Sequence, residues 1–202
     1  MAARRCCYSH LLIDAFAGCT RMLQDIPPQE SGSGRVHVVI DTPAGSRNKY
    51  KYDEQFGIFR ISRVLPQGAV FPYDFGFIPG TRAEDGDALD VLVLQFPASF
   101  PGCLATVRLI GVLHAEQRDG AQLIRNDRLI GVVDTQVNPA RLQQLSALDK
   151  EELRAIEHFF KSYNAFQGRE FSIRSHGGPE DAMRALERAI EAHAARSKEK
   201  PR

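Results

Sequence analysis

The spacing of apolar residues changes once along the chain, and this change restricts the folds that it can adopt. From Val36 to about Val133, short apolar runs alternate with turns rich in Gly, Pro, Asn and Asp, which is typical of a small antiparallel barrel or sandwich. After Pro139, leucine, isoleucine and phenylalanine recur at helical spacing as far as Phe160. Residues Ala182 to Ala195 form a second helical stretch. The chain therefore changes from strands to helices about two thirds of the way along its length.

Six strands are predicted in the first part of the chain, because each candidate run is bounded by turn residues. They are Val36 to Asp41, Lys49 to Asp53, Phe59 to Val64, Leu89 to Leu94, Thr106 to Leu113 and Leu129 to Val133. The predicted fold class is α+β and mainly β. Its centre is a small closed antiparallel β-barrel of OB-like shape, flanked by C-terminal helices.

Composition limits the classes of protein to which the chain can belong. Its 202 residues are enough for one well-packed domain, and no apolar run approaches the roughly 20 residues that span a bilayer. The net charge of +1 gives no overall attraction to nucleic acid or to anionic lipid. The four cysteines lack the spacing of a metal site or a disulfide framework. We therefore expect a cytoplasmic protein that binds neither nucleic acid nor a membrane.

The amino-terminal segment differs in character from the rest of the chain. Asp14 interrupts its apolar stretch too early for a signal peptide, so we do not expect secretion. Pro27-Pro28 and the Ser/Gly run at 31–34 then form a polar connector. We expect residues 1–34 to be a flexible extension, dispensable for fold and activity, and residues 35–202 to be a single domain. Met22 stays open as an alternative initiator.

The densest group of acidic residues lies directly before a predicted strand, in Glu84-Asp85-Gly86-Asp87-Ala88-Leu89-Asp90. Three aspartates within six residues repel one another unless cations neutralise them, and carboxylate oxygens suit Mg²⁺ or Mn²⁺. The glycine and the final acidic residue do not fall at the offsets of a calcium-binding EF-hand loop. Taken alone, such a run is more often an exposed acidic turn than a metal site.

Other motifs accompany these aspartates in a specific order. Taken in order along the chain, they are Asp41-Thr42-Pro43, Lys49-Tyr50, Arg63, Phe71-Pro72-Tyr73-Asp74-Phe75-Gly76-Phe77, Asp85-Gly86-Asp87-Ala88-Leu89-Asp90, and Phe159-Phe160 with Tyr163. In this order the chain resembles the soluble family I inorganic pyrophosphatases from about Val36 to Phe171. The resemblance implies hydrolysis of inorganic pyrophosphate to two phosphates, with several Mg²⁺ ions as cofactors and Mn²⁺ as a substitute.

The resemblance also implies a role for each matched position. Asp85 and Asp90 would bind metal, and Asp87 would accept a proton from, or orient, a metal-bound water. Asp41 would contact metal-bound waters. The phosphate groups of the substrate would be bound by Lys49, Arg63, Arg128 and Tyr163.

Several positions depart from the pattern of the family. Asp41 stands where glutamate is usual, and Lys51 stands where the family has a carboxylate. Phe75 replaces a tyrosine, and Asn164 replaces a lysine that often follows the late tyrosine. These changes imply altered contacts around the site.

The least regular segment runs from Gly111 to Arg128, where the family places two further metal-binding aspartates. Here the segment is longer than usual, and Glu116 and Asp127 are the carboxylates best placed to substitute for them. Asp119 beside Gly120 fits the tip of a hairpin. The alternative is that Glu116 is a surface charge and Asp127 a solvated partner of Arg125 or Arg128. If the two bind metal, Glu116→Gln and Asp127→Asn should raise the Mg²⁺ requirement.

Three functions compete at this point. The first is a metal-dependent pyrophosphatase. The second is a degenerate paralogue that binds phosphate or pyrophosphate with little turnover. The third is a barrel that binds nucleic acid, which the exposed aspartates disfavour because they repel phosphodiester backbones. The family resemblance further implies a homo-oligomer.

Overall fold

The computed structural model describes residues 23–95, 97–133 and 142–199. The strands are β1 (Val36–Thr42), β2 (Asn48–Asp53), β3 (Ile58–Val64), β4 (Asp74–Ile78), β5 (Leu89–Val93), β6 (Leu104–Asp119), β7 (Gln122–Arg125), β8 (Arg128–Val133) and β9 (Glu170–Gly177). The helices are α1 (Lys150–Ala165) and α2 (Pro179–Glu199), with short 3₁₀ turns at Leu23–Asp25 and Leu145–Ala147. No helix in these ranges is both long enough and apolar enough to cross a membrane.

One large sheet carries all of these strands except β2 and β3, which pair with each other in a separate sheet. Pairings run from β1 through β4, β5 and β8 to β6, and β6 also pairs with β1. The β5 and β8 strands are parallel, whereas the other pairings are antiparallel. The expectation of a wholly antiparallel arrangement is therefore wrong at this pairing. The excursion through β6 and β7 returns the chain to the start of β8, which lets β8 run alongside β5.

All six predicted strands are present, with bounds that differ by a few residues. The strands β4, β7 and β9 are not among the six predicted, although the expected hairpin tip at Asp119 and Gly120 does lie between β6 and β7. The β4 strand is short and contains Gly76, where an added Cβ would lie 2.3 Å from the Val39 carbonyl oxygen of β1. This close approach explains a glycine inside a strand, where the residue otherwise weakens the pattern. The helical spacing near Leu145 forms only a 3₁₀ turn before α1.

The two helices pack against opposite faces of the large sheet, and the alternation of side chains in β5 shows this directly. Val91 and Val93 belong to the cluster covered by α2, whereas Leu92 packs in the cluster that includes Ile156 and Phe160 of α1. Successive residues of a strand point to opposite faces, so β5 is buried on both sides. This explains its continuous apolar run.

Helix α1 begins after Asp149, whose side chain accepts hydrogen bonds from the backbone amides of Glu151 and Glu152. This cap satisfies amides that the helix leaves without a partner, and the acidic first turn suits the helix dipole. Ile156, Phe160 and Asn164 are buried at four-residue spacing. The start and the face of the helix together fix where its last turn meets the sheet.

The chain contacts the sheet before residue 35. Gln29 forms a bridge with Val36, and the backbone amide of His37 donates to the Pro28 carbonyl over 3.0 Å. His37 Nδ1 lies 2.8 Å from the Pro27 carbonyl oxygen. The predicted extension thus includes residues that lie along β1, while residues 1–22, with three of the cysteines, are outside the described ranges.

Candidate active site

A cavity of about 560 Å³ opens where the two-stranded sheet, the turn before β5 and the end of α1 meet. Its lining includes most of the side chains predicted from the sequence, namely Asp41, Lys49, Arg63, Asp85, Asp87, Asp90, Arg128 and Tyr163. These side chains come from separate parts of the chain, so only the fold brings them together.

A tight turn presents the first two aspartates of the acidic run. The Ala83 amide donates to the Asp87 carbonyl over 2.8 Å, and the Gly86 amide donates to the Ala83 carbonyl over 3.0 Å. Gly86 has a φ of +92°, a conformation that glycine adopts without strain. The Asp85 Oδ1 atom accepts a hydrogen bond from the Asp87 amide over 3.1 Å. The turn therefore fixes both aspartates at the rim of the cavity.

Three carboxylates in the cavity lie beside a basic side chain. The Lys49 ammonium is 2.7 Å from both oxygens of Asp41. Arg128 Nη1 is 2.9 Å from Asp90. Lys51, on β2, is 3.2 Å from both oxygens of Asp87. The acidic and basic groups are thus interleaved, and the negative charge of each of these carboxylates is partly neutralised within the chain.

The surroundings shift the acidity of two of these carboxyl groups. Burial raises the pKa of Asp90 to about 6, although Arg128 and Lys49 act in the opposite direction. Burial also raises the pKa of Asp41, and the attraction of Lys49 opposes this rise. In both groups burial outweighs the attraction of the nearby cations, so the net effect is a raised pKa.

Lys49 and Arg63 are cross-strand partners in the two-stranded sheet, which places two basic side chains next to each other at the cavity. The Lys49 ammonium lies 4.2 Å from the centre of the Phe75 ring, within the range of a cation–π contact. Phe75 thus contacts the lysine through its ring.

Tyr163 reaches the cavity from the last turn of α1. Its ring stacks on Phe159 at 5.8 Å and meets Phe71 edge-on at 5.4 Å. Burial raises the pKa of its hydroxyl, which keeps the group protonated as a hydrogen-bond donor. The aromatic neighbours hold the ring in place.

The structure does not bring Glu116 and Asp127 to the cavity wall. Glu116 accepts hydrogen bonds from Arg174 of β9, at 2.9 and 2.7 Å. Asp127 is buried, accepts a 2.7 Å bond from Arg125 Nη2 and lies 3.1 Å from His114 Nδ1. The alternative considered from the sequence is right about the arginine partner of Asp127 and about Glu116 as a partly exposed charge, but Asp127 is buried and not solvated.

Gln117 and Asn126 of this segment line the cavity, as do Asp119, Gln122, Ile124 and Arg128. The sequence analysis named neither Gln117 nor Asn126 as a site residue, and it also missed Arg82, which lies beside Gly86. The alternation of side chains along a strand offers a signal for Gln117 and Asn126. Asn126 lies two positions before Arg128 and should therefore share its side of the chain. Gln117 follows Glu116 directly and should face the cavity if Glu116 points away from it.

The donor chemistry of the cavity fits a hard divalent ion, because Asp85, Asp87 and Asp90 offer carboxylate oxygens at one wall. Within the described ranges, however, no three acidic, histidine or cysteine side chains are gathered as a ready ligand set. Lys51 and Arg128 lie at two of these carboxylates. Metal binding would therefore require these basic groups to move aside.

The comparisons with known proteins agree on one family. The sequence model described as inorganic pyrophosphatase matches residues 38–194. The inorganic pyrophosphatase of Thermus thermophilus is 36% identical over 165 residues, which cover 82% of this chain and 92% of that protein. The Synechocystis inorganic pyrophosphatase is 38% identical over 136 residues, or 67% and 78% of the two chains.

Solved structures give the same result. The crystal structure of the Thermus thermophilus inorganic pyrophosphatase aligns with a TM-score of 0.78 and 32% identity, covering 86% of this chain and 99% of that one. The Neisseria gonorrhoeae inorganic pyrophosphatase aligns with a TM-score of 0.77 and 30% identity, over 86% and 99%. With a family match over most of its length and relatives above 30% identity, this chain belongs to the inorganic pyrophosphatase family.

Proposed function

We propose that the protein hydrolyses inorganic pyrophosphate to two phosphates with the help of divalent ions, Mg²⁺ above all. The observation that carries the proposal is the convergence of two groups on one cavity: the aspartates Asp85, Asp87 and Asp90, and the basic residues Lys49, Arg63 and Arg128. An acidic group alone would fit a cation, and a basic group alone would fit an anion. Both together fit a polyanion that is bound with metal ions.

The substrate would be held by Lys49, Arg63, Arg128 and the Tyr163 hydroxyl. Arginine offers a planar fork of donors for phosphate oxygens, and lysine offers a compact positive charge. Lys49 and Arg128 already lie in the cavity beside Asp41 and Asp90, and they would turn from these carboxylates toward the anion.

Asp85, Asp87 and Asp90 would hold the metal. A divalent ion, when bound, lowers the pKa of water and neutralises phosphate charge. Asp87 is exposed to the cavity, and its carboxylate oxygens could accept the proton of an attacking water. The basic side chains would stabilise the charge that builds up on the departing phosphate.

The test is release of phosphate from pyrophosphate by purified protein at a range of Mg²⁺ concentrations. We expect release with Mg²⁺, with Mn²⁺ as a substitute, and none in excess chelator. Undiminished activity in chelator would refute the metal-dependent mechanism. Absence of release at every Mg²⁺ concentration would refute hydrolysis itself.

A degenerate paralogue, which binds phosphate or pyrophosphate with little turnover, is the second candidate. Two observations favour it: the Lys51 ammonium lies on Asp87, and neutral Gln117 and Asn126 occupy the wall near Arg128. Calorimetric titration with pyrophosphate and Mg²⁺ distinguishes the two. Binding without phosphate release would support the paralogue.

We also propose that the protein is a cytoplasmic homo-oligomer whose central strands close into an OB-like barrel. Ile58, Ile61 and Val64 of β3 are each more than half exposed, and contacts between subunits would remove such apolar side chains from water. Light scattering coupled to size-exclusion chromatography would give the oligomeric state.

A further inference from the structure

Lys51 occupies an unusual place for a basic residue in a cavity that binds divalent ions. It reaches from β2 to the acidic turn, and its ammonium is 3.2 Å from both oxygens of Asp87. Both side chains are exposed, at 62% and 68%, so the ammonium can leave the carboxylate without breaking other structure. The contact is therefore available for exchange with a cation from solution.

The charges that line the cavity are balanced. Six of the lining residues are Lys or Arg, and six are Asp or Glu. Carboxylates that face a cavity attract divalent ions, which relieve the repulsion among their negative charges. Each basic side chain among them reduces that attraction. The chain thus supplies internally part of the positive charge that metal ions would otherwise bring.

We propose that Lys51 is a resident cation that competes with divalent metal for Asp87, and so weakens metal binding there. The inference rests on the proposed function, which assigns the cavity to a metal-dependent reaction. An ammonium and a metal ion cannot both contact the same carboxylate oxygens at close range, since like charges repel. Metal must displace Lys51 from Asp87 before it can bind.

The size of the effect follows from the charge removed. Replacing the ammonium by a neutral side chain takes one positive charge from a few ångströms away from the metal position. At low ionic strength this should tighten binding of a divalent ion roughly tenfold, and added salt should narrow the difference. A glutamate at this position would tighten binding further by adding a ligand.

The experiment measures Mn²⁺ binding to the whole protein by electron paramagnetic resonance of the free ion, without substrate. The variants are Lys51→Met and Lys51→Glu. Arg60→Met is the matched control, because Arg60 lies 3.0 Å from Asp53 on the same two-stranded sheet, is 66% exposed and does not line the cavity. Circular dichroism melts verify that all of the variants fold.

We expect Lys51→Met to tighten Mn²⁺ binding, Lys51→Glu to tighten it more, and Arg60→Met to leave it unchanged. Binding that appears only in the Lys51 variants would also support the inference. Equal isotherms in the wild type and both Lys51 variants, including no binding in any of them, would overturn it. So would an equal gain in Arg60→Met, which would indicate a general effect of charge.

Phosphate release by the wild type is measured separately, so that failure of the proposed function can be distinguished from failure of the competition between Lys51 and metal. Hydrolysis of pyrophosphate together with Mn²⁺ binding that does not depend on Lys51 would refute the competition alone. Mn²⁺ binding that depends on Lys51, without hydrolysis at any Mg²⁺ concentration, would refute the proposed function and leave the competition standing.

Discussion

The side-chain amide of Asn126 donates a 3.0 Å hydrogen bond to the Oε1 atom of Gln117, and both side chains line the cavity. The Asn126 Oδ1 atom in turn accepts a hydrogen bond from Arg128, whose guanidinium also pairs with Asp90. These two amide side chains are therefore polar but carry no negative charge. Asn126 holds Arg128 in place by a hydrogen bond, whereas Asp90 supplies the negative charge that faces the guanidinium.

The neutral amide of Asn126 leads to a prediction for Asn126→Asp. The substitution keeps the size of the side chain and adds a carboxylate next to Arg128, the partner of Asp90, so divalent ions should be attracted more strongly. We expect the Mg²⁺ concentration for half-maximal turnover to fall by roughly threefold to tenfold. Gln67→Glu, in an exposed turn outside the cavity, makes the same change of charge as a control. An unchanged or higher Mg²⁺ requirement would contradict the prediction.

A second prediction concerns Asp87. Asp87→Asn keeps the shape of the side chain but removes its ability to accept a proton. Turnover of pyrophosphate should fall by about 10² or more if Asp87 is the general base. Mn²⁺ binding, measured directly, should change much less than turnover. Near-native turnover in this variant would show that the proton is accepted elsewhere.

Local patterns in the sequence predicted much of the fold, because strands such as Leu89–Val93 and the face of α1 carry their own periodicity. The parallel pairing of β5 with β8 joins segments distant in sequence, so no local pattern reports it. The same limit explains Glu116 and Asp127. Residue type favoured these carboxylates, whereas the direction of each side chain depends on a strand register that only the fold sets.

The position of Glu116 gives a third prediction, opposite to the one from the sequence. Its carboxylate pairs with Arg174 away from the cavity, so Glu116→Gln should leave the Mg²⁺ requirement unchanged. The pair is partly exposed and should contribute less than about 1 kcal/mol to stability. Mg²⁺ titrations of turnover in this variant and the wild type test the point. A raised requirement would restore Glu116 as a candidate ligand.

The contacts before residue 35 revise the expectation for the amino terminus. Removing residues 1–34 eliminates both carbonyl contacts of His37, whereas removing residues 1–22 keeps them. Because each hydrogen bond contributes about 1 kcal/mol, the longer truncation should melt roughly 4 °C below the shorter one. Calorimetry of the two truncated proteins makes the comparison. Equal melting temperatures would show that residues 23–34 add nothing to stability.

The last prediction concerns Asp127 and acid. Burial alone would raise the pKa of its carboxyl, but hydrogen bonds from Arg125, His114 and the Ala115 amide outweigh burial and lower this pKa below the ordinary value of 3.8. The unfolded chain therefore takes up the proton first as the pH falls. The stability that the ionised group contributes is complete above pH 3.8 and is lost as the pH falls through the lower pKa of the folded state.

Asp127→Asn should therefore lower the free energy of unfolding by about 1–3 kcal/mol at pH 7, because Arg125 loses a charged acceptor at a buried position. The difference from the wild type should shrink as the pH falls below about 4, where the wild-type carboxylate begins to protonate. Urea unfolding between pH 7 and pH 3, in chelator to exclude metal effects, measures this. Glu170→Gln, at an exposed pair with Arg118, serves as a control that should change little. A difference that stayed constant over this range would mean that Asp127 acts through its shape and hydrogen bonds and not through its charge.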